Sequence, residues 1–179
     1  MTHLSTKPDV FALARTGDKA AFEQLVINNE ALVLRTAWRL LGSPEDARDA
    51  AQEVFLRLYK GIRKVREETV IEAWLYRVTV NVCQDLRRKR GAPSREVVDY
   101  GQASTLDHDI ELRQQQAAMM ELITELPDKE RAALVLRELE GLSTRQVAEI
   151  LGSSEVTVRT QVASARSKLK VRLEQGRRR

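Results

Sequence analysis

Residues Leu142–Lys170 read LSTRQVAEILGSSEVTVRTQVASARSKLK, and this stretch decides the fold. Ser143 is a favoured N-cap, and Gln146 three residues later completes a capping box, so a helix is predicted to begin here. Gly152 can adopt a positive φ and ends that helix, while Ser154 is placed to cap another. The stretch therefore predicts two helices joined by a short turn.

The second of these helices has an apolar side and a polar side. Its apolar positions recur at spacings of four, three and four, which is typical of a buried helical stripe: Val158, Val162, Ala165 and Leu169. The small Ala148, the turn at Gly152 and the apolar Val158 sit where a helix-turn-helix needs close approach, a turn and a core anchor. We interpret the stretch as a helix-turn-helix; the alternative is an ordinary helical hairpin with a solvated basic face.

The composition favours helices and a polyanionic partner. Charged residues make up 31% of the chain, aromatic residues only 4%, and the formal net charge is +4. The single Cys83 excludes an intramolecular disulfide, and with only His3 and His108 no Cys/His metal site is expected. No apolar run approaches the roughly 18 residues of a membrane span. We therefore expect a cytoplasmic protein without membrane insertion, metal or other cofactor.

The first half of the chain predicts a bundle of helices. A short helix from Asp9, a turn at 16–18 and one or two longer helices ending at Gly42 follow from the apolar spacing. Ser43 then caps a helix that runs to about Lys60. The segment 61–69 breaks the periodicity and is predicted to be a loop.

A long helix is predicted from about Val70 to Lys89, and its two sides differ. One carries a single apolar stripe: Ile71, Trp74, Leu75, Val78, Val82 and Leu86. The opposite side carries Arg77, Asn81, Gln84, Asp85 and Arg88. Because a cationic helix end bearing Asn and Asp suits contact with phosphates and bases, we interpret this side as a candidate nucleic-acid surface.

The segment 91–109 is richer in glycine and small polar residues and carries an acidic excess, so it is predicted to be a flexible linker. We expect a domain at 9–90 and another at 110–175. Within the second domain, one helix is predicted to stop at Pro127 and another to span Asp128–Glu140, with Gly141 as its C-cap. The predicted fold is all-α, with two small helical domains and a helix-turn-helix in the C-terminal one.

Two segments resemble one family. The first, DARDAAQEVFLRLYKGI followed by EAWLYRVTVNVCQDLRRKR, is similar to the polymerase-binding and promoter-melting helices of bacterial sigma factors. The second, LPDKERAALVLRELEGLSTRQVAEILGSSEVTVRTQVASARSKLK, resembles their C-terminal promoter-recognition domain. With two domains and a short linker, the chain resembles the extracytoplasmic-function group of the sigma-70 family.

The resemblance implies a transcription initiation factor that binds core RNA polymerase, directs it to a promoter class and helps to open the DNA. It implies contacts with the clamp helices of the largest polymerase subunit by Asp49, Gln52, Glu53, Phe55 and Tyr59. It also implies contacts with the flap of the second-largest subunit. An anti-sigma factor commonly restrains relatives.

The resemblance also implies two DNA-contacting sets. The minus-ten set comprises Lys64, Arg66, Arg77, Asn81, Asp85 and Arg88, with 64–69 as the loop that accepts a flipped base in relatives. The minus-thirty-five set comprises Ser154, Glu155, Thr157, Arg159, Thr160, Ala163, Ser164, Arg166 and Lys168. Within it, Arg159 and Thr160 match positions facing the bases, whereas Arg166 and Lys168 are better placed for phosphates.

Two other classes of function remain as alternatives. A stand-alone helix-turn-helix regulator would share the second domain but would have no use for the surface between Asp49 and Tyr59. A helical enzyme would need a nucleophile–base pair, a metal site or a glycine-rich phosphate loop. The sequence offers none of these motifs, so no catalytic residue is assigned and the protein is not expected to be an enzyme.

Overall fold

A computed structural model describes residues 9–66, 70–90 and 107–176. Within these ranges every regular element is a helix, so the all-α prediction is confirmed. The helices divide into a first group before the predicted linker and a second group after it. That linker lies outside the described residues, apart from its last three positions, which are helical.

The first group, here called the first domain, contains four helices and a short turn. They are α1 (Val10–Thr16), α2 (Lys19–Leu41), α3 (Pro44–Gly61), a 3-10 turn (Ile62–Lys64) and α4 (Ile71–Arg90). The predicted one or two helices before Gly42 are a single helix. Helix α2 packs against α1, α3 and α4, and therefore forms the centre of the bundle.

Side-chain caps set where these helices begin. Asp18 Oδ1 accepts a hydrogen bond from Ala21 N at 2.9 Å, and Ser43 Oγ accepts one from Asp46 N at 3.2 Å. These bonds satisfy backbone N–H groups that have no partner inside the helix. The predicted start at Ser43 is confirmed.

The second group, here called the second domain, also contains four helices. They are α5 (Asp107–Thr124), α6 (Asp128–Leu134), α7 (Thr144–Leu151) and α8 (Glu155–Gly176), with a π-helical turn (Val135–Leu139) after α6. Helix α5 begins three residues before the predicted domain start. The predicted single helix over 128–140 changes register at Val135, where the N–H of Glu140 bonds to the Val135 carbonyl at 2.9 Å.

A buried arginine holds the corner between α5 and α6. Arg131 is 1% exposed, and its Nη1 donates to the carbonyls of Thr124 at 2.6 Å and Leu126 at 3.2 Å. Its other terminal nitrogen pairs with Asp128. Burial lowers the pKa of Arg131 to about 10, which still leaves it charged at neutral pH. The guanidinium therefore supplies hydrogen-bond donors to carbonyl oxygens that have no backbone N–H partner where α5 ends.

The two domains pack against each other. Helix α4 contacts α7, and α2 contacts both α5 and the π-helical turn. At this junction Gly42 lies so near Thr124 that a Cβ atom on the glycine would come within 2.7 Å of Thr124 Cγ2. In the described part of the chain, no helix combines the length and the apolar character needed to cross a membrane.

Candidate functional site

The helix-turn-helix has the local geometry that the sequence predicts. Gln146 N donates to Ser143 Oγ at 3.2 Å, and Ser143 N donates to Gln146 Oε1 at 2.9 Å, which completes the capping box. Gly152 has a φ of +62° and its N–H bonds to the carbonyl of Ala148. Thr157 N donates to Ser154 Oγ at 3.1 Å, which caps α8.

One side of α8 is buried and the other is open to solvent. The predicted apolar stripe is buried throughout: Val158, Val162, Ala165 and Leu169. The exposed side carries Val156, Arg159, Thr160, Ala163, Ser167 and Lys170. Val156 is 67% exposed, although sequence reasoning assigned it no role. An exposed apolar residue at the start of a recognition helix was a signal available in the sequence.

The remaining predicted residues of α8 lie on its two flanks. On one flank Lys168 Nζ pairs with Glu130 Oε1 at 2.7 Å, and Ser164 Oγ donates to the same oxygen at 3.1 Å. On the other flank Arg166 pairs with Glu138 at 2.8 Å. Because these partners lie on α6 and the π-helical turn, the flanking groups are oriented along the edges of the exposed side.

Helix α3 brings together most of the predicted polymerase-binding residues. Asp49, Gln52 and Tyr59 are exposed on one side of the helix, and Leu56, 45% exposed, lies among them. The Tyr59 ring is held edge-on to Phe22 of α2, with ring centroids 5.3 Å apart. This surface combines acidic, amide and aromatic groups, which suits a protein partner.

Two predicted members of that surface are less accessible to a binding partner. Phe55 is half-buried and packs against the core of the first domain. Glu53 Oε1 accepts from Arg57 Nε at 2.7 Å. The exposed part of the surface is therefore narrower than the sequence predicts, and Leu56 belongs to it.

Some of the predicted minus-ten residues have exposed side chains, and others are already paired with groups of the protein itself. Asn81, Lys64 and Arg66 are exposed, while Asp85 pairs with Arg88 on its own helix. Arg77 is already hydrogen bonded within the protein, because its Nε donates to the Ile150 carbonyl of α7 at 3.1 Å. The rest of the predicted loop, 67–69, lies outside the described residues.

A carboxylate that sequence reasoning missed lies between the domains. The Glu140 side chain is 1% exposed and accepts hydrogen bonds from Arg35, Thr36 and Arg39 of α2 and from Tyr76 of α4. Burial by itself would raise the pKa of Glu140, but the Arg35 hydrogen bond and the charges of Arg39 and Arg35 outweigh it and lower that pKa. Burial and the nearby carboxylate raise the pKa of Tyr76 to about 12.

Helix α4 has a second buried stripe where the sequence predicts only one. Tyr76, Val80 and Cys83 are buried, and the last two line a small cleft with Asp128 and Arg131 of the second domain. Burial raises the pKa of Cys83 to about 12, so its thiol stays protonated at neutral pH. The spacing 76, 80 and 83 was a detectable signal, since it repeats at helical intervals.

The fold defines a class: an all-helical protein of two domains, the second of which contains a helix-turn-helix. Residues 25–92 match the family described as Sigma-70 region 2, and residues 116–169 match Sigma-70, region 4. The chain belongs to the sigma-70 family, in its extracytoplasmic-function group. Members of this family are transcription initiation factors that bind core RNA polymerase and promoter DNA, which favours this function over a stand-alone regulator.

Two relatives support membership in this family. The chain is 34% identical over 167 residues to the ECF RNA polymerase sigma factor SigE of Mycolicibacterium smegmatis, covering 87% of this chain and 63% of that protein. It is 30% identical over 168 residues to the ECF RNA polymerase sigma factor SigM of Mycobacterium tuberculosis, covering 93% of this chain and 84% of that one.

Two solved structures share the fold. CnrH in complex with the cytosolic domain of CnrY superposes with a TM-score of 0.71 at 25% identity, covering 93% of this chain and 96% of that chain. The sigma factor RpoE of Bartonella quintana, in complex with the anti-sigma factor NepR, gives a TM-score of 0.68 at 20% identity, covering 86% and 96%.

Proposed function

We propose that this sigma factor holds promoter DNA at two points, one on each helical domain. The observation that supports this is that Arg159 and Thr160 on α8 and Asn81 on α4 are exposed on different domains. Helix α8 enters the major groove of the minus-thirty-five duplex, as recognition helices do. Helix α4 contacts the minus-ten element.

At the minus-thirty-five element, the exposed side of α8 reads bases and its flanks set the register. Arg159 can donate two hydrogen bonds to guanine O6 and N7, and Val156 can contact a thymine methyl group. Phosphate contacts come from the flanking residues Thr157, Ser164, Arg166 and Lys168, and the remaining predicted residues, Ser154, Glu155 and Ala163, border the groove.

At the minus-ten element, α4 and the adjoining loop hold the melted strand. A base must leave the stack before its Watson–Crick edge can be read, and Asn81 has an amide that can donate and accept there. Lys64, Arg66 and Arg88 supply charge for the backbone of the single strand. Asp85, paired with Arg88, positions that cation.

The α3 surface binds the polymerase clamp helices. Tyr59 and Leu56 are the apolar anchors, and Asp49, Gln52 and Glu53 supply the polar contacts around them. The second domain binds the flap. Because both domains are held on one enzyme, each DNA contact gains effective concentration and neither needs high affinity alone.

We further infer that the protein acts in the cytoplasm and catalyses no reaction of its own, since the family consists of initiation factors. An anti-sigma factor is a second proposed partner. The proposal rests on a likeness of fold to RpoE, which was solved with the anti-sigma factor NepR.

The experiment that tests the proposed function is run-off transcription with core polymerase on a library of genomic fragments. New transcripts should start downstream of a shared pair of sequence elements when the protein is added. A stand-alone regulator would bind fragments without changing the start sites used by core polymerase. Protein that neither co-elutes with core polymerase nor creates new start sites would overturn the proposal.

A further inference from the structure

Helix α8 carries more positive charge than its own carboxylates balance. It contains five Lys or Arg residues and two Glu residues. Carboxylates from the preceding part of the second domain pair with three of these cations: Glu138 with Arg166, Glu130 with Lys168 and Glu125 with Arg172. The charge of α8 is therefore balanced to a large extent by groups outside the helix.

The pair between Glu130 and Lys168 engages both oxygens of the carboxylate. Lys168 Nζ lies 2.7 Å from Glu130 Oε1 and 2.8 Å from Oε2, and Ser164 Oγ donates to Oε1 at 3.1 Å. The Glu130 side chain is only 17% exposed, whereas that of Lys168 is 44% exposed. Because α6 packs against α8, the carboxylate has a fixed position at the edge of the recognition helix.

This geometry leaves Lys168 one hydrogen-bond donor for DNA. A lysine ammonium has three N–H groups. Two of them serve the Glu130 oxygens, so one remains for a phosphate, and its direction is set by the carboxylate. Glu130 therefore orients Lys168 at the flank of α8 and at the same time cancels its charge.

The two effects act differently on two kinds of DNA complex. Association with arbitrary DNA depends on contacts between cations and phosphates that release counterions, so it strengthens with each uncompensated cation. Glu130 weakens that association by removing the net charge of the pair. At the minus-thirty-five element, base contacts by Arg159 place α8 in one register, in which an oriented Lys168 meets a phosphate. There the orientation offsets part of the lost charge.

We propose that Glu130 is a positioning residue for promoter recognition: acting through Lys168, it lowers the affinity for arbitrary DNA more than the affinity for the minus-thirty-five element. The part that concerns the promoter element rests on the proposed function of α8, whereas the charge effect on arbitrary DNA does not. Glu130 thereby raises the ratio of the two affinities, which decides how a DNA-binding protein distributes over a genome.

The first test measures binding of the full-length chain to a duplex without promoter elements, by fluorescence anisotropy at several KCl concentrations. Glu130→Gln keeps an oxygen that accepts from Ser164 but removes the charge, and should raise the affinity at least about threefold. The salt slope, which is the change in log affinity with log salt concentration, should steepen by about 0.9, because one further cation becomes free to contact phosphates. Circular dichroism should show unchanged helix content.

Two further variants separate action through Lys168 from an effect of total charge. In a Lys168→Ala background, Glu130→Gln should change the salt slope by less than about 0.3, since it frees no cation. Glu125→Gln removes the same charge from the same domain, but its partner Arg172 lies outside the predicted minus-thirty-five set. Its salt slope should stay within about 0.3 of the wild-type value.

The second test measures specificity with holoenzyme assembled from this protein and core polymerase. Run-off transcription compares a promoter found in the genomic library with the same promoter carrying an altered minus-thirty-five element. Glu130→Gln should reduce the ratio of the two transcript yields at least about twofold, and Glu125→Gln should leave it unchanged.

Each outcome decides one claim. An unchanged salt slope in Glu130→Gln, or an equal change in the Lys168→Ala background or in Glu125→Gln, would overturn action through Lys168. A transcript ratio that stays at the wild-type value would overturn the effect on specificity. If wild-type holoenzyme uses no promoter while the salt slope responds as expected, the proposed function fails, and the competition between Glu130 and phosphates for Lys168 stands.

Discussion

The Arg77 guanidinium of α4 caps the C-terminal end of α7, with its Nε donating to the Ile150 carbonyl oxygen at 3.1 Å. Cations are favoured at this end of a helix because the last carbonyls lack partners within it. The bond joins the helix predicted to contact melted DNA to the helix that precedes the recognition helix.

Arg77→Ala should loosen the contact between the two domains. Losing the hydrogen bonds of an exposed arginine should cost about 1 kcal/mol, which corresponds to roughly fivefold faster alkylation of Cys83. Arg88→Ala is the matched control, because that exposed cation of α4 pairs with Asp85 of the same helix. Equal alkylation rates for Arg77→Ala and wild type would contradict the role assigned to the bond.

Asn81→Ala should prevent strand opening without weakening polymerase binding. The side chain is exposed on α4, so its removal leaves no buried group unpaired. Permanganate reactivity of thymines near minus ten should be lost, while co-elution with core polymerase is retained. Asn28→Ala, which changes an exposed amide on α2, should keep full reactivity.

Val156→Ala should change sequence preference at one thymine of the minus-thirty-five element. Losing an apolar contact with the thymine methyl group should cost about 1 kcal/mol at that position only. Replacing that thymine by deoxyuridine should weaken binding of the wild type in an anisotropy titration but leave the variant unaffected. An equal deoxyuridine effect in both proteins would exclude the contact.

Arg159→Ala should relax specificity at a guanine position. A bidentate arginine–guanine contact is worth about 1–3 kcal/mol of discrimination. Lys168→Ala should instead lower the affinity for all DNA sequences by a similar factor and reduce the salt dependence of binding. Binding selections with the full-length chain measure both effects. A loss of affinity that is equal for all DNA sequences in Arg159→Ala would count against base readout by this residue.

Tyr59→Ala should weaken binding to core polymerase by about 2 kcal/mol, the size expected of a central aromatic anchor. Tyr59→Phe keeps the ring and its edge-on contact with Phe22, and should bind nearly as well as wild type. Competition binding with labelled core polymerase provides the measurement. If the alanine variant competes as well as wild type, this surface does not bind the clamp.

The contact between the two domains should weaken at acidic pH. The pKa of Glu140 is below the ordinary value of 4.5 when the domains are in contact, so its contribution to that contact is fully present above 4.5 and is lost as pH falls below it. The groups that hydrogen-bond to it are Arg35, Thr36, Arg39 and Tyr76. The radius of gyration should therefore rise on acidification, and Glu140→Gln should show a smaller pH response.

Local features of the fold were predictable because the residues that form them are close together in the sequence. The cap at Ser143 bonds to Gln146, and the positive φ of Gly152 follows from its place after the last turn of α7. The buried stripe of α8 was also predictable, because helical spacing alone puts its members on one side. These features set the helices and the helix-turn-helix.

The candidate site was predictable only in part. Residues assigned by resemblance are exposed where a single helix presents them, as at Asn81, Thr160 and Tyr59. Their roles stay predictions. The hydrogen bond between Arg77 and the Ile150 carbonyl depends on how α4 packs against α7, which the spacing of residues does not encode.

The sequence by itself determined an all-helical chain, the ends of most helices and membership in the sigma-70 family, because caps, apolar spacing and motif order are local properties. Only the tertiary structure decided that Glu140 would be buried, since its partner Arg35 lies 105 residues away in the chain. A carboxylate is normally exposed, and it is buried only where packing brings cations to it.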